Sequence, residues 1–140
     1  IGIYEYMMGI YSHHFNNDNL SVREKIIKIN SLISEHEEKI GNPILEYLYK
    51  RDDLNLIGKI KIKNKNRAPT ILFTSKLKSS KKISEILVAN LIATRNDNFY
   101  AWRCLKALNI DTDDGLVRLS MTHYNTEEDT KNLINALEKI

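Results

Sequence analysis

Gly115-Leu116-Val117-Arg118-Leu119-Ser120-Met121-Thr122-His123-Tyr124-Asn125-Thr126 is the stretch on which the reading of this chain turns. Alternation with a period of two puts Val117, Leu119 and Met121 on one face of a strand and Leu116, Arg118 and Ser120 on the other. The first face is a core face, so Arg118 looks onto a different surface. Two roles fit an arginine in that position. It can pair with a neighbouring acid on an exposed sheet face, or it can wait as a fork-shaped cation for a carboxylate ligand. Beyond the strand, Thr126 caps a helix whose first turn holds Glu127, Glu128 and Asp129, where the helix dipole favours acids. Leu133, Ile134 and Leu137 form that helix's buried side.

Working back from there, the spacing predicts a short helix over 99–108 and a short strand over 92–95. A helix over 80–90 runs through Ile83, Ile86, Leu87 and Val88, and Pro69-Thr70-Ile71-Leu72-Phe73-Thr74 is a strand. Leu54, Leu56, Ile60 and Ile62 are spaced by twos with one break near Gly58, which predicts a half-buried strand carrying a bulge. Residues 22–50 read as one long helix with a kink, or as two stacked pieces. Ser21 and Glu24 form a capping-box pattern at its mouth, and Gly41-Asn42-Pro43 is the interruption. Asn16-Asn17-Asp18-Asn19 separates it from a first helix whose face is Ile3, Tyr6, Met7, Ile10, Tyr11 and His14. The expected fold is therefore α+β: two leading helices, then a small, mainly antiparallel sheet of three to four strands with helices packed on one face.

The chain has 140 residues, 42% of them hydrophobic and 28% charged, one soluble domain's worth of ordinary globular sequence. No apolar run reaches the roughly 18 residues a membrane span needs. The single cysteine, Cys104, cannot close an internal disulfide and suits a reducing, cytoplasmic setting. A net charge of +3 is too small to argue for nucleic acid. The start, Ile1-Gly2-Ile3, carries no initiator Met and no secretory leader, yet 1–15 already reads as a helix body. The expectation is a chain cut from something longer.

Several chemistries lack their signatures. The five glycines are scattered, so no loop cradles a phosphate, and one Cys with four His gives no zinc pattern. His13 and His14 are adjacent on a helix and point in different directions. Cys104 reads as a packed residue, since Arg103 alone does not make a thiolate reactive. The densest charge run, Lys59 to Arg67, reads as a strand with one wet face ending in a lysine-rich hairpin. No aromatics are interleaved to stack bases.

The run from Gly115 to Ile140, with its strand arginine and the Tyr124-Asn125-Thr126-Glu127-Glu128 helix entry, resembles the end of class V aminotransferases and cysteine desulfurases, pyridoxal-phosphate enzymes of fold type I. Arg67-Ala68-Pro69-Thr70-Ile71-Leu72-Phe73-Thr74 resembles the strand that opens their small domain, and Asp97-Asn98-Phe99-Tyr100-Ala101 resembles a segment of a desulfurase-like subfamily. The resemblance implies that 1–50 is the helical tail of the large domain plus the connecting helix, and that 51–140 is the C-terminal small domain. It implies that Arg118 binds the α-carboxylate of an amino-acid substrate. It also implies that Arg95, Asn98 and Tyr100 line the substrate site. The persulfide-forming cysteine of desulfurases would fall near Tyr100, whereas Cys104 lies one helical turn further on. Pyridoxal phosphate, its lysine, its aspartate and its stacking aromatic belong to the large domain, so no catalytic, cofactor or metal residue is expected in this chain, and the chain alone should not catalyse. A homodimer is implied, built mostly by the large domain. A non-catalytic α+β module that binds a small acid or a protein partner is the alternative. A basic nucleic-acid module resting on Lys59 to Arg67 is a weaker one.

Overall fold

The computed structural model describes residues 1–16, 19–63 and 66–140, arranged as two compact units, Ile1–His36 and Glu37–Ile140. Asn17 and Asp18 of the expected first turn, and Asn64 and Lys65 of the expected lysine-rich hairpin, lie outside the described residues.

In the first unit, α1 (Gly2–His14) ends where Phe15 turns extended and its N–H bonds back to the Tyr11 carbonyl at 2.8 Å. α2 (Val22–Tyr49) begins as the capping-box pattern requires. The Ser21 N–H donates to Glu24 Oε2 at 2.8 Å, and the Glu24 N–H donates to Ser21 Oγ at 3.4 Å. The unit's core is small: Tyr11 and Ile29 are fully buried, and the Tyr11 ring stacks on Phe15 with centroids 5.1 Å apart. Lys25 and Lys28 lay their ammonium groups over those two rings. Of the face expected for α1, only Tyr11 is buried. Met7 and Ile10 are half-buried, while Ile3, Tyr6 and His14 are exposed.

The second unit contains the rest of α2 and then β1 (Leu54–Ile57), β2 (Thr70–Ser75), α3 (Ser80–Ala89), β3 (Arg95–Asp97), α4 (Trp102–Ala107), β4 (Leu116–Ser120) and α5 (Glu127–Leu137). The four strands form one antiparallel sheet in the order β1-β2-β4-β3. This is the α+β architecture the sequence predicts. Core residues alternate along the central strands, Ile71 and Phe73 on β2, Val117 and Leu119 on β4. They meet Ile44 and Leu48 of α2, Ile83 and Leu87 of α3, and Leu133 and Leu137 of α5 in one cluster. Fully burying a side chain such as Phe73 contributes roughly 1.5–3 kcal/mol. The Thr130 hydroxyl, buried in α5, donates to the Ile40 carbonyl of α2 at 3.0 Å. No described helix is long and apolar enough to cross a membrane.

Three boundaries differ from the sequence reading, each for a physical reason. β1 stops at Ile57, because Gly58 adopts φ +93° and turns the chain out of the ladder. The alternation at Ile60 and Ile62 is therefore not a strand. Ile62 is buried instead against α2, where its side chain fills the space left by the missing Cβ of Gly41. Asn42 holds its backbone from both sides: the Ile62 N–H donates to Asn42 Oδ1 at 2.8 Å, and Asn42 Nδ2 donates to the Ile62 carbonyl at 3.0 Å. The expected interruption at Gly41-Asn42-Pro43 is thus a receptor on one continuous helix. β3 covers Arg95–Asp97 rather than 92–95, and α4 starts at Trp102 because Phe99 and Tyr100 adopt φ +52° and +60°.

Candidate functional site

The face of the sheet opposite the core carries the chain's candidate site. Arg118 sits in the middle of β4, half-buried, with Leu72 of β2 on one side and Arg95 of β3 directly across on the other. Like charges placed directly opposite in a sheet repel. Among the described residues, no acid forms an ion pair with either arginine. Asp97, further along β3, turns its Oδ1 to the N–H of Asn98 at 2.7 Å. What lies near both guanidinium groups is the ring of Phe99, 4.5 Å from Arg118 Cζ and 5.9 Å from Arg95 Cζ. Ala93, Thr94, Arg95, Arg118 and Ser120 line a depression of about 160 Å³.

Two other arginines of the unit, Arg51 and Arg67, are committed. Arg51 grips Asp53 in a two-pronged contact, 2.7 Å from Nε and 2.6 Å from Nη2, and reaches the Tyr47 hydroxyl and the Leu137 carbonyl. The bond to Asp53 raises the Arg51 pKa, and the same bond lowers that of Asp53. Arg67 donates to the carbonyls of Lys59 and Thr70, and burial pulls its pKa down.

The loop after β3 is tightly specified. Asn98 donates from Nδ2 to the Thr112 carbonyl at 3.3 Å, and its Oδ1 accepts the Tyr100 N–H at 3.0 Å. Gly115, at φ +70°, brings β4 so close that a Cβ there would lie 2.4 Å from the Asp97 carbonyl carbon. Asp114 accepts the Ser80 N–H at the start of α3, and the Ser80 hydroxyl bonds the Asp114 carbonyl, so the β4 entry is anchored to that helix. Left-handed φ at bulky residues such as Phe99 costs on the order of 1–3 kcal/mol each, and strain of that kind concentrates at functional sites.

Of the four residues assigned to the substrate site in the sequence, the structure brings together Arg95 and Arg118. Asn98 lies outside the depression, its amide bonded within the loop, and Tyr100 is 98% exposed. Phe99 was missed. It stands inside the quoted Asp97-to-Ala101 segment, but nothing in the spacing ties it to an arginine nineteen residues away. Cys104 is exposed on α4, not packed as the sequence suggested. No group of acids, histidines and cysteine among the described residues is arranged to hold a metal ion. Pyridoxal phosphate requires a lysine for its aldehyde, and no lysine lines the depression beside Arg118. The residues here do not fit that cofactor by themselves.

Known proteins match most of the chain. The aminotransferase-like protein FGM3 of Gibberella zeae is 33% identical over 109 residues, 77% of this chain and 27% of that protein. The cysteine desulfurase of Thermococcus onnurineus superposes with a TM-score of 0.69 at 23% identity, over 84% of this chain and 28% of the enzyme. The likeness to class V aminotransferases and cysteine desulfurases is borne out. The cysteine desulfurase CsdA of Escherichia coli gives a TM-score of 0.63 at 20% identity, covering 76% of this chain and 24% of the enzyme. At such identities the two desulfurases speak for the fold, and this chain spans about a quarter of the length of each relative. No family model matches the chain.

Proposed function

We propose that this chain is the C-terminal part of a pyridoxal-phosphate-dependent enzyme of the class V aminotransferase or cysteine desulfurase type, acting on an amino acid, and that Arg118 binds the substrate's α-carboxylate. The observation that supports this is an arginine inside a sheet, half-buried, facing a depression and paired with no acid among the described residues. Its N–H groups stay available for the two oxygens of a carboxylate, the geometry a guanidinium suits best. Arg95 adds a second positive charge at the same depression. In this reading 51–140 is the small domain, and 1–50 is the tail of the large domain with the helix that joins the two. The large domain supplies the lysine and holds the cofactor, and the enzyme is a cytoplasmic homodimer.

The test uses the full-length protein. A panel of L-amino acids identifies the substrate, and Arg118→Ala should then lower kcat/KM by the ~2–5 kcal/mol typical of truncating one half of a buried charge pair, about 30-fold to several thousand-fold. Arg118→Lys should recover part of this. Against the matching amine without a carboxylate, wild type and Arg118→Ala should perform alike. Full activity of Arg118→Ala on the amino acid would refute the assignment.

A further inference from the structure

We infer that Phe99 is a positioning residue for Arg118, holding the guanidinium against its ring so that N–H donors stay open to an anion. The inference rests on the carboxylate-binding reading of Arg118.

An acid is one way to hold an arginine, as Asp53 holds Arg51, in the turn between α2 and β1 of this same unit, through two short bonds. An acid fixes the side chain but occupies its donors and cancels its charge, leaving little for a ligand. At Arg118 the facing residue on β3 is Arg95, which repels it, and the facing residue on β2 is Leu72, which offers no acceptor. Without a restraint the guanidinium would swing away from its like-charged neighbour. The Phe99 ring supplies that restraint at 4.5 Å from Cζ, within cation–π range. A ring offers no hydrogen-bond acceptor of the carboxylate kind, so a contact of this type leaves N–H donors of the guanidinium for a ligand, where an acid would occupy them. Arg95 lies further from the same ring, 5.9 Å from its centroid, and is held more loosely.

The backbone is built to present that ring. Phe99 and Tyr100 are both left-handed, at φ +52° and +60°, a conformation bulky residues avoid. Asn98 makes it possible by bonding the Tyr100 N–H and the Thr112 carbonyl with one amide, and Gly115 leaves room for the turn against β4. A polar residue tolerant of the left-handed region would have suited the loop better locally. The strained aromatic makes sense through what its ring touches.

The inference can be tested on the full chain labelled with ¹⁵N, with acetate as the carboxylate probe. Ring current should move the Arg118 Nε–H resonance upfield in the wild type. Phe99→Leu should return it to an ordinary position, and Phe99→Tyr should keep it shifted. Acetate should perturb that resonance in the wild type, and Phe99→Leu should weaken its binding by about two- to five-fold, the worth of one exposed cation–π contact. Phe99→Tyr should restore the affinity. Backbone amides of β4 should stay in place in both variants, which separates positioning from loss of fold. An unshifted wild-type resonance, or equal acetate affinity in wild type and Phe99→Leu, overturns the role of Phe99 and leaves Arg118 as the carboxylate site. Acetate that leaves Arg118 unperturbed in the wild type overturns the carboxylate reading itself, and this inference with it.

Discussion

Replacing Gly115 by alanine should unsettle the candidate site more than any other single methyl group. Two costs add at this position. The first is conformational: φ is +70°, and an L-residue there costs roughly 1–2 kcal/mol. The second is steric. The new Cβ would stand 2.4 Å from the Asp97 carbonyl carbon, 2.5 Å from its oxygen and 2.8 Å from the Asn98 nitrogen, all of them backbone atoms that cannot rotate aside. Clearing them requires moving β3 or the start of β4, and overpacking of that kind costs about 1–3 kcal/mol. The expected loss is therefore about 2–5 kcal/mol. Gly58 isolates the first term, since its φ is +93° but nothing lies within 4 Å of a Cβ there. Urea unfolding followed by the fluorescence of Trp102, the one tryptophan, measures both variants. Gly115→Ala should lose at least about 1 kcal/mol more than Gly58→Ala. Equal losses would mean that the close approach of β4 to Asp97 does not constrain the fold, and the argument for a built loop would fail.

Thr126→Ala removes the oxygen that accepts the Asp129 N–H and should lower stability by about 1 kcal/mol, read from the midpoint of urea unfolding. Thr130→Val strips the buried hydroxyl from the Ile40 carbonyl and should cost about 1–3 kcal/mol, with the loss seen in the same melts. Asp53 is held below its ordinary value by Arg51, Glu24 by Ser21, and Asp129 by Thr126 and Asn125. Depressed carboxylates stabilise the fold above their unfolded values and lose that contribution as pH falls through the folded ones. The urea midpoint should thus drop between about pH 5 and pH 2, and Asp53→Asn should flatten part of that slope; an unchanged slope would sink the assignment.

What the sequence made legible was local. Ser21 and Glu24, and Thr126 with the acids after it, lie within one helical turn of each other, so their bonds follow from spacing. The β4 alternation separated Val117 and Leu119 from Arg118 because the period of two is imposed by the strand itself. Leu116, placed on the Arg118 face, is buried all the same, opposite Asp97 in the β3–β4 pairing. Three of the misreadings concern contacts distant in sequence. Ile62 alternates like a strand residue, but its partner is a helix twenty residues earlier, and no periodicity reveals an asparagine acting as a pairing edge. β3 was displaced because a three-residue strand takes its register from β4. Phe99 went unremarked because its meaning lies in Arg95 and Arg118, which pairing brings together.

The strand order has a consequence for how the protein is made. β4 pairs with both β2 and β3, and those two are not neighbours in the sheet. As the chain emerges from the ribosome, β1 and β2 can form a hairpin, but β3 has no partner until Leu116 to Ser120 arrives. The interval between Ser75 and Leu116 takes on the order of two to eight seconds at roughly 5–20 residues per second. Throughout it, one edge of β2 stays open and the paired arginines do not yet exist as a pair. The last strand to appear closes the sheet and brings Arg95 opposite Arg118 in the same step, while α5, which completes the core, is still to follow.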